Sequence, residues 1–228
     1  MALTIVQAGD PVLRRAARAL RPNEIRSREI RELIQQMKET MYAAPGVGLA
    51  APQIGQGIQL AVIEDRPEYI KDWTREQLAE RERHVVPFHV IINPKITLLG
   101  EERIEYFEGC LSLDNLMALT PRARRVRVEC VDEKGEAKVI EASGWYARIL
   151  QHEIDQLAGT MYVDHMHPRT LMTVENFTQH WKGKTLPELK EGLLATGLRR
   201  STPAAPSEKG KSRGSEWSAD TAASSLGN

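Results

Sequence analysis

One short segment of the sequence carries side chains suited to metal-dependent hydrolysis, QHEIDQ at positions 151–156. Side chains four positions apart share one face of a helix, so His152 and Gln156 could bind the same metal ion. A carboxylate beside the first of them, here Glu153, can act as a general base. This is the logic of the His-Glu-x-x-His helix of metallohydrolases, except that the last position is glutamine. Taken alone, the broken pattern favours a structural, partly buried histidine.

Two further segments contain candidate site residues. In EGCLS (108–112), Cys110 follows a predicted strand and its thiolate could bind a metal, although a free cysteine is more often a small buried hydrophobic residue. In GVGLAAPQ (46–53), small residues allow a ligand close to the backbone, and Gln53 offers an amide donor. Most glycine-rich segments are only turns, and this one lacks the spacing of a phosphate-binding loop.

The elements that must position these segments follow from apolar spacing and capping residues. A helix is predicted over 28–43 with Ser27 as its N-cap, and a second over 143–158, capped by Ser143 and ended by Gly159. Apolar runs and alternation predict strands at 58–64, 90–92, 126–130 and 136–141. A charged surface excursion with a short helix is predicted over 65–87, and weaker helices at 176–181 and 186–194. Antiparallel strands packed around one central helix, 143–158, indicate an α+β fold.

Composition sets the broad class. The chain has 228 residues, of which 41% are hydrophobic and 27% charged, as in ordinary globular proteins. Lys+Arg and Asp+Glu are 31 each, so no net charge argues for DNA or an anionic membrane as partner. Apolar runs are too short to span a bilayer, the first residues resemble no signal or transit peptide, and two cysteines make no disulfide framework. These features predict a cytoplasmic protein.

The chain changes character near its end. Residues 200–228 are rich in Ser, Ala, Gly and Pro, and their only large apolar side chains are Trp217 and Leu226. Such a segment buries too little surface to offset its ordering entropy. We therefore predict one domain over 1–199 and a disordered low-complexity tail over 200–228.

The three motifs together, in this order, resemble the peptide deformylase family, whose pattern is G-x-G-L-A-A-P-Q, then E-G-C-L-S, then Q-H-E-x-D-H. The resemblance runs from about residue 3 to about residue 170, and the charged excursion and SGWYARILQHE are most similar to the eukaryotic-organelle-type branch. It implies a hydrolase that removes the formyl group from the N-terminal formyl-methionine of new polypeptides. It further implies one divalent metal ion, Fe²⁺ in the first place, with Zn²⁺, Ni²⁺ or Co²⁺ as alternatives.

The resemblance also implies roles for individual residues. The metal ligands are Cys110 and His152, with Gln156 at the third ligand position, and Glu153 is the general acid/base. The oxyanion donors are the Gln53 amide and the backbone N–H of Leu111. The substrate peptide and its methionine side chain are expected at Gly46, Val47, Gly48, Trp145 and Ile149.

Gln156 departs from the family pattern, and three interpretations stay open: a deformylase that binds metal weakly, a catalytically dead relative, or a glutamine that is not the natural residue. The alternative function is a binding module that holds nascent N-termini or the ribosome without turnover. His165 and His167 follow the helix end and are expected at the surface rather than as replacement ligands. The sequence leaves monomer and dimer open.

Overall fold

The computed structural model describes residues 2–198, so the predicted tail over 200–228 lies outside the described residues. Its strands form a six-stranded antiparallel sheet in the order β1-β2-β3-β4-β5, with β6 paired to β4. The strands are β1 (Gly48–Ala50), β2 (Leu60–Asp65), β3 (Val86–Cys110), β4 (Leu113–Val131), β5 (Ala137–Ser143) and β6 (Met172–Thr173). The helices are α1 (Pro22–Ile25), α2 (Arg28–Ala43), α3 (Pro67–Ile70), α4 (Arg75–Glu80), α5 (Gly144–Leu157), α6 (Val174–His180) and α7 (Leu186–Ala195).

A long hairpin of β3 and β4 forms the middle of the sheet. The two strands pair from Ile92 opposite Val131 to Cys110 opposite Leu113, with register shifts that bend the ladder. Only two residues, Leu111 and Ser112, join the strands. Cys110 is therefore fixed at the tip of the hairpin.

The two faces of the sheet bury different side chains because side chains alternate along a strand. On one face, Leu60 and Val62 of β2 pack in a cluster with α2. On the other face, Ala61 and Ile63 pack in a cluster with the apolar side of α5. Cys130 belongs to this second cluster, and burial raises the pKa of its thiol to about 11. The helix α5 is thereby held against the centre of the sheet.

Several predicted elements are confirmed. The fold is α+β with an antiparallel sheet, and α2 has the predicted bounds, with the Ser27 hydroxyl accepting from the Ile30 N–H. The helix α5 ends as predicted, with Gly159 at φ +79°. Helices α6 and α7 lie close to their predicted positions.

Three expectations were wrong in part. The segment around Gly48 forms the strand β1, and β3 and β4 extend far beyond the short predicted strands. Ser143 occupies the N-cap position of α5, but its side chain makes no capping bond. Its hydroxyl instead bonds Glu82, while the Trp145 N–H donates to the Arg81 carbonyl at 2.9 Å.

Candidate active site

The sulfur of Cys110 is the point on which the candidate residues converge. At the hairpin tip, the Ser112 N–H lies 3.4 Å from Cys110 Sγ. Gln53 Nε2 approaches the same sulfur at 3.5 Å, and the Ala50 N–H fixes that amide by donating to Gln53 Oε1 at 2.8 Å. The segments 46–53 and 108–112 thus meet at one sulfur atom.

Helix α5 brings His152 and Gln156 to the same sulfur. The His152 side chain hydrogen-bonds Cys110, and its Nδ1 lies 3.1 Å from Glu108 Oε2. Burial lowers the pKa of His152, but the bonds to Cys110 and Glu108 outweigh it and hold the pKa well above its usual value. One turn further along α5, Gln156 Nε2 lies 3.5 Å from Cys110 Sγ.

The donor set fits a divalent metal ion, with an amide oxygen in the place of an imidazole. Within residues 2–198, no three His, Cys, Asp or Glu side chains form a metal-binding group. At this site the third position is Gln156. The Oε1 atom of Gln156 is buried and has no hydrogen-bond partner among residues 2–198, so its lone pairs are free to bind a metal ion. Turning the amide over exchanges its two terminal atoms and brings this oxygen beside Cys110. A thiolate, an imidazole and an amide oxygen are all competent ligands for iron-group metals and zinc.

Glu153 is a buried carboxyl group, and in the part of the chain that the structure describes its Oε2 has no hydrogen-bond partner. Burial raises its pKa to about 7, although the nearby His152 lowers it. A Cβ atom at Gly48 would lie 2.3 Å from Glu153 Oε1, so only glycine fits beside this carboxyl. Glu153 can therefore exchange a proton near neutral pH in a fixed place.

A buried ion network supports His152 from behind, and sequence reasoning did not find it. Glu108 accepts from Arg122 Nε and Nη2, both at 2.9 Å, and also from Arg148 Nη1. Arg122 further bonds Asp155 of α5. Burial raises the pKa of Glu108, but Arg148, His152 and Arg122 outweigh it and keep the carboxyl ionised. The sequence signal was the spacing of Arg148 and His152, four residues apart on one helix face.

A cavity of about 600 Å³ opens beside these groups. Its walls include nearly all the predicted site residues: Gly46, Val47, Gly48, Gln53, Cys110, Leu111, Trp145, Ile149, His152 and Glu153. Gln156 is not among the lining residues, and its hydrogen bond to the site is the one from Nε2 to Cys110 Sγ. Phe107, Met117 and Arg148 also line the cavity and were not predicted. The cavity is large enough for a side chain and a stretch of peptide backbone.

The remaining histidines near the helix end are engaged elsewhere. His165 Nε2 lies 3.3 Å from Asp155 Oδ2, and His167 Nε2 lies 2.9 Å from Glu105 Oε1. Neither histidine lines the cavity. These contacts agree with the prediction that His165 and His167 do not replace a metal ligand.

Fold and site together define an α+β protein with a cluster of thiol, imidazole and carboxyl groups at one cavity. A family model described as polypeptide deformylase matches residues 2–171. The chain belongs to the polypeptide deformylase family.

Similar proteins come from plants and bacteria. The chloroplastic peptide deformylase 1A of Solanum lycopersicum is 47% identical over 172 residues, which cover 75% of this chain and 62% of that protein. Peptide deformylase 3 of Streptomyces avermitilis is 42% identical over 196 residues, which cover 86% of this chain and 85% of that protein. The Met-Ala-Ser-bound crystal structure of a class I type b peptide deformylase from Acinetobacter baumannii has a TM-score of 0.65 and 28% identity, covering 73% of this chain and 99% of that one. This chain thus spans less than two thirds of its tomato relative.

Proposed function

We propose that this chain is a peptide deformylase that hydrolyses the formyl group of N-formyl-methionyl peptides. The observation that carries the proposal is the convergence of Cys110, His152 and Gln156 beside a buried Glu153 whose pKa is about 7. Membership of the family supports it. Relatives named peptide deformylase support it as well.

Three side chains, Cys110, His152 and Gln156, would hold the metal, and family knowledge makes Fe²⁺ the first candidate. When bound, a divalent metal supplies Lewis-acid activation of water and of the formyl carbonyl. Glu108 fixes the ring of His152 through Nδ1 and leaves Nε2 for the ligand side. The arginines around Glu108 keep that carboxylate in place.

Glu153 and the hydrogen-bond donors carry out the rest of the reaction. Water attacks the formyl carbon, Glu153 takes its proton, and the same carboxyl delivers a proton to the amine that leaves. The carbon–nitrogen bond breaks, and formate and a free N-terminal amine result. Gln53 Nε2 and the Leu111 N–H would donate to the oxyanion that forms in between. Val47, Trp145 and Ile149 would surround the methionine side chain.

Further parts of the proposal concern the setting of the enzyme. We assign the activity to one domain over 1–199, with 200–228 as a tail outside it. Within residues 2–198, none of the helices combines the length and the apolar character that a bilayer span requires. We propose a cytoplasmic location and nascent chains at the ribosome as the source of substrate.

The test is formate release from a formyl-Met peptide by anaerobically prepared protein supplied with Fe²⁺, Co²⁺ or Ni²⁺. Glu153→Gln is the matched control, because it keeps the shape of the side chain and removes its proton exchange. We expect turnover in the wild type and a loss of about 10²–10⁴-fold in the variant. Absence of turnover with every metal would overturn the proposal.

The amide at position 156 favours one second candidate, a protein that binds formyl-peptides without turnover. Gln156 Nε2 faces Cys110 Sγ, where an imidazole ligand is expected from the family pattern. This candidate predicts peptide binding in calorimetry together with no formate under any metal. The formate assay, run beside calorimetry with the same peptide, therefore distinguishes the deformylase from the binding protein.

A further inference from the structure

The charged excursion predicted over 65–87 packs onto the first turn of α5, and its part between the strands β2 and β3 is residues 66–85. The Trp145 N–H donates to the Arg81 carbonyl at 2.9 Å. Gly144 has φ +56°, and a Cβ there would lie 2.5 Å from that carbonyl oxygen and 2.4 Å from Glu82 Cβ. The excursion is thus in backbone contact with the helix that carries the candidate site.

Side chains extend this contact as an alternating stack of aromatic rings and guanidinium groups. Arg83 Cζ lies 4.9 Å from the centre of the Trp145 ring and 5.0 Å from that of Trp73. Arg81 Cζ lies 5.0 Å from the centres of the Trp73 and Tyr106 rings. The order is therefore Trp145, Arg83, Trp73, Arg81, Tyr106, and Trp73 is the ring that joins the two arginines.

The stack is anchored in the protein interior. Arg83 donates to Asp65 through Nε at 2.8 Å and Nη2 at 2.9 Å, and the Asp65 side chain is fully buried at the end of β2. At the other end, Tyr106 also stacks with Arg148, which bonds Glu108. The Tyr106 hydroxyl donates to the Glu80 carbonyl at 2.7 Å. The stack is thus anchored at Arg83 and at Tyr106, and Trp73 lies between the two arginines.

Trp145 depends on this stack for its position. Its Nε1 is buried, and no hydrogen-bond partner for it exists within residues 2–198. Trp145 lines the 600 Å³ cavity and also a second cavity of about 460 Å³, bounded by Trp73, Phe177 and Trp181. The indole therefore borders both cavities, and it contacts Arg83 and Tyr106.

We infer that Trp73 is a positioning residue that, through Arg83, holds the Trp145 indole as a wall of the substrate cavity and so sets selectivity for the substrate side chain. The inference rests on the proposed function for its substrate class. Without the Trp73 ring, Arg83 loses one of the two faces between which it lies. The Trp145 indole then moves toward the second cavity, and the site discriminates less between methionine and larger side chains.

The test compares Trp73→Leu and Trp73→Phe with Lys71→Ala, an exposed position in the same excursion, as control. Leucine keeps apolar bulk and removes the aromatic face, whereas phenylalanine keeps an aromatic face that interacts more weakly with the guanidinium groups. We expect KM for a formyl-Met peptide to rise about tenfold in Trp73→Leu, which corresponds to about 1.4 kcal/mol. The value of kcat should stay within about twofold, because the proton-transfer residues are untouched.

Selectivity and binding provide the deciding readouts. The kcat/KM ratio of formyl-Met over formyl-Phe peptide should fall in the order wild type, Trp73→Phe, Trp73→Leu, and Lys71→Ala should match the wild type. Unformylated Met-Ala-Ser, titrated by calorimetry, should bind Trp73→Leu about tenfold more weakly than the wild type. This binding needs no turnover, so failure of the proposed function is distinguishable from failure of the inference.

Three results would overturn the inference: equal Kd and selectivity in wild type and Trp73→Leu, an effect of the same size in Lys71→Ala, or a loss of kcat at constant KM. If Trp73→Leu does not fold, Trp73→Phe decides. An unchanged selectivity ratio and Kd in Trp73→Phe would then overturn it, and an intermediate loss of both would support it.

Discussion

Two groups of ion pairs lie on the same strand, β4, only five residues apart. Around Arg122, the side chains are buried: Arg122 is 5% exposed and its partner Glu108 is 4% exposed. Around Arg127, they face solvent: Arg127 is 40% exposed and Glu141 is 62% exposed, although their atoms are only 3.0 Å apart. The chemistry of the two pairs is the same, but their surroundings differ.

The difference shows what burial requires of a charged side chain. Each charge around Arg122 is matched by another, since a buried ion without a partner costs several kcal/mol, on the order of the whole stability of a domain. The Arg127 pair exchanges easily with water and gains little. The network around Glu108 is thus rigid enough to orient His152, whereas the exposed pairs have no part in the site.

The largest expected effect comes from removing the central charge of the buried network. Glu108→Gln should lower the free energy of unfolding by about 3–5 kcal/mol, because Arg122 and Arg148 stay buried without a counter-ion. Urea unfolding in EDTA at pH 7 measures it. A loss below about 1 kcal/mol would show that burial does not distinguish the two groups of pairs.

Glu153 differs from the buried network, since its Oε2 has no hydrogen-bond partner among residues 2–198. The pKa of Glu153 is about 7 in the folded chain, against an ordinary value of 4.5 for the unfolded chain. Between pH 4.5 and pH 7 the folded chain therefore holds a proton on Glu153 that the unfolded chain has lost. Stability therefore falls as pH rises from 4.5 to 7, by about 3 kcal/mol in metal-free protein.

Glu153→Gln should remove this dependence. The variant should be more stable than the wild type by about 3 kcal/mol at pH 8, and the difference should vanish below about pH 4. Unfolding curves at several pH values in EDTA measure it. A constant difference across this range would contradict the prediction.

Gln156 is another buried group with an unpartnered polar atom, since its Oε1 has no hydrogen-bond partner within residues 2–198. Gln156→His should bind Fe²⁺ or Co²⁺ at least ~10–100-fold more tightly, because an imidazole is a stronger ligand than a neutral amide. It should also release formate faster. Competition with a chelator measures the affinity, and equal metal content and equal turnover in both proteins would reject the prediction.

The smallest effect is expected at the exposed pairs. Arg127→Ala should change the free energy of unfolding by less than about 0.5 kcal/mol, and the difference should shrink further in high salt. The same urea experiment used for Glu108 measures it. If Arg127→Ala lowered the free energy of unfolding nearly as much as Glu108→Gln, the exposed pairs would stabilise the fold as strongly as the buried ones, and the prediction would be wrong.

The sequence predicted the α+β class and helix α2 closely, because apolar spacing and the Ser27 cap are local signals. It also singled out Cys110, His152 and Gln53, and in the structure the side chains of His152 and Gln53 contact the sulfur of Cys110. The site assignment itself stays a prediction. The pairing of β3 with β4 over their whole length was not predictable, since it depends on contacts between residues up to about forty positions apart.

The network around Glu108 and the stack around Trp73 were also beyond sequence reasoning. Arg81, Arg83 and Trp73 belong to a segment whose charge predicted a surface excursion, and only tertiary contact reveals that their side chains turn inward. Arg122 had no local pattern that separated it from exposed arginines, and the helical spacing of Arg148 from His152 did not name Glu108 as their shared partner. Partners that are distant in sequence decide which arginines are buried.

The two cysteines of this chain differ in a way that has a practical consequence. The Cys130 thiol is buried in the core and its pKa is about 11, so it holds almost no thiolate at neutral pH. Thiol-directed alkylating reagents therefore meet a single accessible thiol, that of Cys110. Oxygen would damage this protein at its site before it damaged the core, and the rate of labelling by iodoacetamide would report how well the sulfur is shielded.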